Sequence, residues 1–221
     1  MLRIVPLLLV LMLLAPAGAH ALDDILSLEL WAETETPIQD TDEYPISTET
    51  AVSRLLEETR YVVSGMIYGF RYRYQPADPR RGVQEVFELE PVSSIPWGDE
   101  NLAMRNTRRE ESRIFVSFLY ELNDYQRQLQ QSWASAAIDD SSGRGEASIM
   151  QGNAGRLEAI QASIQHAVRR HLQFLTRNRP RSSQGDLILE RVPRLSIESG
   201  QWVARADIRL IVGEIQSHTS Y

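Results

Sequence analysis

Apolar positions along this chain follow two periods, and the switches between them predict its elements. Val52, Leu55, Leu56, Thr59, Val62 and Val63 recur at helical spacing, with Thr48 placed to cap the start and Gly65 to stop the end. Residues 66–74 then alternate. Met66, Tyr68, Phe70, Tyr72 and Tyr74 share one side, and Arg71 and Arg73 the other, which predicts a strand with an aromatic core face. A turn at residues 76–79, a strand over 83–92 and a rigid loop, Ile95-Pro96-Trp97-Gly98-Asp99, follow from the prolines and glycine. Residues 114–122 read as a third strand, with Phe115 and Leu119 adding apolar surface to its second face. Tyr125, Leu129 and Trp133 stand four apart and predict a short helix over 123–133. The run DDSSGRG at 139–145 has the composition of a flexible turn, with a brief strand at 146–149.

Asn153 is placed to cap the longest helix. Its stripe runs through Leu157, Ile160, Ile164, Ala167, Val168, His171, Leu172 and Leu175 and stops before Pro180. A strand begins at 187–190. Residues 195–198 and 201–212 read as a hairpin bent at Ser199-Gly200, with Trp202, Ala204, Ala206, Ile208 and Leu210 on one face. A helix followed by extended segments occurs twice, over 48–122 and 153–212. The predicted class is therefore α+β, with two helices packed on antiparallel sheet. The repetition suggests two similar α-β-β-β halves that share one core. The division read from the chain is a signal peptide at 1–21, an acidic N-terminal lead at 22–47, a first half at 48–133 and a second at 134–221. Within the lead, residues 23–31 have the pattern of an edge strand or a short helix.

The first 21 residues change the setting. Arg3, an apolar run from Ile4 to Leu14 and Ala19-His20-Ala21 give a secretory signal with cleavage after Ala21. The run is about 11 residues, against roughly 20 for a membrane span. The chain holds no cysteine, which removes disulfides and thiolate chemistry and suits a bacterial periplasm. It holds no lysine, so Schiff-base chemistry is excluded as well. A net charge of −7 argues against nonspecific nucleic-acid binding. No later stretch has the length and hydropathy of a transmembrane helix, which leaves peripheral membrane contact through arginine clusters open.

Candidate chemistry is sparse. His166 and His171 lie five apart on one helix, about 140° around its axis, so they do not make the pair that i, i+4 histidines make. No Ser-centred nucleophile elbow occurs. Neither metal nor cofactor is expected. Ser141-Ser142-Gly143-Arg144-Gly145 has the makings of a backbone anion nest served by Arg144. The expected contact residues are Trp97, Trp202, Arg144 and the basic cluster Arg177, Arg179 and Arg181.

Gly143-Arg144-Gly145, the helix alanines Ala154, Ala159, Ala162 and Ala167, and the hairpin segment Gly200-Gln201-Trp202-Val203-Ala204-Arg205-Ala206 carry a resemblance. Residues 143–212 resemble a domain of FlgP-type outer-membrane lipoproteins and of the FlgT N-terminal region. That likeness implies a module in a flagellar outer-membrane assembly, with an envelope protein or a second copy as partner. Two features depart from the pattern: there is no lipidated cysteine, and His166 stands where an acidic residue is usual. Through GMIYGFRYRY, FELEPVSSIPWGD and SSGRGEA the whole chain also looks like uncharacterised exported proteins of spirochaetes. The expected function is a non-catalytic periplasmic assembly or interaction module. The alternatives are a small-ligand or lipid-binding protein and, last, a hydrolase using two carboxylates.

Overall fold

The periodicities resolve into twelve elements in the computed structural model, which describes residues 24–35, 45–176 and 181–216. In chain order they are β1 (Ile25–Glu33), α1 (Thr48–Ile67), β2 (Phe70–Gln75), β3 (Val86–Pro91), β4 (Leu102–Glu110), β5 (Arg113–Glu121), α2 (Asp124–Trp133), β6 (Asp139–Ser148), α3 (Gly152–Leu175), β7 (Ser182–Leu189), β8 (Arg194–Glu198) and β9 (Gln201–Gln216). The class is α+β. One antiparallel sheet has the order β1-β5-β4. The other runs β3-β2-β7-β9-β6, with β8 also paired to β9. The larger sheet takes β2 and β3 from residues 48–133 and its other strands from 134–221, so both stretches build one core. No described helix is long and apolar enough to cross a membrane.

Helix α1 joins the two sheets. Ala51 and Leu55 pack with Leu30, Ile114, Val116 and Phe118 of the small sheet. Val62, Val63 and Ile67 enter the main core with Phe70, Tyr72, Leu187 and Leu189. The cap is Ser47 rather than Thr48, and its side chain accepts from the N–H of Thr50 at 3.1 Å. The expected stop at Gly65 is also corrected, because the helix passes through it. A Cβ there would lie 2.5 Å from Cε2 of Phe70, so the glycine admits the ring of the next strand. The chain turns instead at Gly69, whose φ of +74° suits glycine.

The run at 139–145 is another correction. It is not a turn but most of β6, which pairs with β9 from Asp139↔Leu210 to Ser148↔Gln201. Its two glycines face α3. A Cβ on Gly143 would lie 2.1 Å from the carbonyl oxygen of Ser163, and one on Gly145 2.2 Å from the Ser163 nitrogen. Helix backbone rests directly on strand backbone, with Ala159 and Ala167 buried alongside. The hairpin at β8 and β9 forms as patterned, and both turn residues have positive φ, 49° at Ser199 and 75° at Gly200. Strand β4 was not expected. Most of its residues are exposed, so it carries no alternation to read.

Candidate functional site

Helix α2 roofs an apolar concavity, and its attachment explains the shape. Asn123 and Gln126 form a reciprocal capping box at its start. Gln126 is the buried residue of this helix, and Tyr125 is 63% exposed. The amide Nε2 of Gln126 donates to the hydroxyls of Tyr68 and Tyr120, each at 2.8 Å, and the Tyr120 hydroxyl donates to Asp99 at 3.2 Å. Burial pushes the Tyr120 phenol up to about 12, with the carboxylate of Asp99 adding to the shift and the Gln126 bond opposing it. At the other end Arg209 Nη1 donates to the carbonyl of Trp133 at 2.6 Å. The helix is thus fixed at both ends.

Beneath it lies a cavity of about 360 Å³. Leu26, Met66, Trp133, Ile188 and Leu189 supply apolar walls, and Ala134 leaves room at the helix end. Three polar side chains join them. Gln130 donates to the carbonyl of Met66 at 3.4 Å, and Arg209 stands 3.8 Å from Glu190. An apolar hollow with a few convergent polar groups is the usual make-up of a small-molecule site.

A second constellation is buried and was not expected. Glu58 of α1 and Arg156 of α3 are 3% and 4% exposed at their side chains and pair at 2.8 and 3.1 Å. The Arg156 guanidinium lies 5.1 Å from the Trp31 ring and 4.9 Å from the Trp202 ring, and the rings are 5.9 Å apart. Arg113, paired to Glu33 at 2.8 Å, covers Trp31 at 4.5 Å. Two cations and two indoles thus interleave and tie β1, α3 and β9 together. A signal existed in the sequence. Glu58 and Arg156 fall on the apolar stripes of their helices, three after Leu55 and four before Ile160.

The expected contact residues scatter. Trp202 is 1% exposed and is corrected to a core residue. Arg144 serves no anion nest: it lies on a strand, on the face away from α3, and pairs with Glu146 and, at 3.0 Å, with Glu198. That corrects the reading of a backbone nest at 141–145. Glu198 is held down to about 2 by hydrogen bonds from Arg205, Ser196 and Arg144. Arg181 is half-buried ahead of β7, and Arg177 and Arg179 lie outside the described residues. Of the two expected tryptophans, Trp97 is the exposed one, at 56%. His171 is nearly buried, 3.5 Å from Asp139, and His166 Nδ1 accepts from the Arg144 N–H at 3.3 Å. Among the described residues no three His, Asp or Glu side chains stand close enough to hold a metal ion.

Comparison with known proteins places the chain without naming an activity. No solved structure matches it. An uncharacterised protein of Treponema pallidum (strain Nichols) is 24% identical over 197 residues, covering 89% of this chain and 83% of the relative. A family model matches residues 15–218. With nearly the whole chain matched, the protein belongs to this uncharacterised spirochaete family.

Proposed function

We propose that the protein is a non-catalytic binding protein of the cell envelope that takes a small apolar ligand, such as an acyl chain, into the cavity under α2. The cavity itself carries this reading. Its volume of about 360 Å³ sits within the roughly 300–1,000 Å³ of small-molecule sites. Its walls are apolar side chains, and the Arg209–Glu190 pair gives it a polar margin. A periplasmic address is supported by the signal-like residues 1–21 and by the absence of cysteine. The test is native mass spectrometry of gently purified protein, followed by titration with decanoate. Retained ligand or decanoate should add a discrete mass, and Ala134→Trp, which fills the hollow, should abolish it. A bare apo mass with no decanoate adduct, or equal binding by the filled variant, refutes the proposal.

A second reading, docking in an envelope assembly, is favoured by β4. This nine-residue strand ends the small sheet with exposed side chains and an outer edge paired to no other described strand, a form suited to accepting a partner strand. The likeness of residues 143–212 to flagellar outer-membrane modules supports the same role. A photo-crosslinker placed at Arg105 should capture one defined envelope partner or a second copy of the chain in cells. Capture of neither refutes this reading.

A further inference from the structure

We propose that Trp97 and the pocket beside it form a separate binding site for an N-acetylated pyranose unit of a glycan. The exposed indole is rigidly mounted. Ile95 is fully buried, and its N–H donates to Ser64 Oγ of α1 at 2.9 Å. Its carbonyl accepts from Arg60 at 3.1 Å through Nε and at 2.6 Å through Nη2. The same guanidinium lies 4.4 Å from the Trp97 ring centroid. The cation occupies one side of the ring and holds its plane, while 56% of the residue stays open to solvent. Such a pre-set aromatic surface costs little ordering on binding. A pyranose presents the complementary surface, a layer of C–H bonds with partial positive charge against the negative π-face.

The pocket adjoins this ring through Arg60, which lines it. It holds about 190 Å³, ample room for a substituent of a sugar stacked on the ring. Tyr61, Phe70 and Pro91 supply apolar wall, and Glu57 and Ser94 supply polar groups. The Glu57 carboxylate is exposed at the rim of this pocket. An acetamido group fits both demands: a methyl for the apolar wall and an N–H for the carboxylate. A cationic ligand would meet Arg60 behind the ring, and a phosphate would meet Glu57. A proline-rich peptide needs an aromatic-lined groove, and here a single exposed ring is presented.

The test titrates the ¹⁵N-labelled protein with chitotriose and follows the indole N–H resonance of Trp97, assigned with Trp97→Phe. A saturable shift with Kd on the order of 1 mM is expected. Trp97→Ala should weaken binding at least tenfold, and Glu57→Gln about threefold. Cellotriose, which lacks acetamido groups, should bind more weakly than chitotriose. An unmoved resonance, equal affinity in Trp97→Ala, or equal affinity for cellotriose overturns the proposal. The site shares no lining residue with the cavity under α2, so Ala134→Trp should leave chitotriose binding unchanged. Failure of one site is thereby distinguishable from failure of the other.

Discussion

Replacing Gly145 with alanine tests whether the GRG segment is a packing surface. The added Cβ would sit 2.2 Å from the backbone nitrogen of Ser163 and 2.4 Å from the backbone oxygen of Ala159. Ordinary contact begins at 3.4 Å, so α3 must retreat from β6 by about 1.2 Å. The obstacles are main-chain atoms of a helix and cannot rotate away as a side chain would. Overpacking a well-filled core costs about 1–3 kcal/mol, and this geometry belongs at the upper end. For a chain of this size each kcal/mol lowers Tm by about 2–4 °C, so a fall of about 6–12 °C is expected. Arg144→Ala is the control. Its exposed pairs with Glu146 and Glu198 are screened by solvent and contribute little. Thermal and urea unfolding of both variants read the difference. If Gly145→Ala were neutral, or Arg144→Ala equally costly, the close helix–strand contact would be refuted.

Other outcomes follow from the same structure. Glu58→Ala strands the buried Arg156 charge and should cost about 3–5 kcal/mol, whereas Glu58→Leu with Arg156→Leu should recover most of it; a double variant less stable than the single would contradict this. Burial lifts the phenols of Tyr61 and Tyr120 to about 12. Because the raised value belongs to the folded state, their contribution is complete below pH 10 and is lost as pH rises through about 12. Tm should therefore fall across that window, and spectrophotometric titration showing all tyrosines ionising near 10 in the folded protein would disprove it. Glu198 is depressed to about 2, so its contribution is present above its ordinary pKa and fades only as pH falls toward 2. Carboxyl NMR should show it ionised at pH 3, and a midpoint near 4.5 would refute the three-donor arrangement.

The legible parts of this fold are those where one face meets core and the other meets water. β2, β5 and β9 alternate because Tyr72, Phe118 and Ile208 are buried while Arg71, Arg113 and Arg205 are exposed. β4 gives no such contrast, because most of its residues face solvent. Composition misleads at 139–145, where glycine and serine imitate a loop although the glycines serve close packing. Gly65 misleads in the same way: its missing side chain makes room for Phe70, and Gly69 takes the turn. The cavity was unreadable because its walls come from β1, α1, α2, β7 and β9, elements up to 183 positions apart from Leu26 to Arg209. Trp97 was legible as a candidate contact residue in a proline-glycine frame, though that frame equally suits a ring clamped onto the sheet, and its exposure came only with the fold. Trp202 belonged to an alternating strand whose inner face is core.

Strand β9 has a consequence for biogenesis. It is 16 residues long, it pairs with β6, β7 and β8, and it occupies the interior of the larger sheet. It is also the last described element to leave the ribosome. Until residues 201–216 emerge, three upstream strands lack the neighbour that satisfies their backbone, and β2 with β3 has no route into the sheet except through β7. A nascent chain halted at residue 200 should remain protease-sensitive however long it waits. Closure of the larger sheet is therefore gated by β9, with slow, non-local pairing.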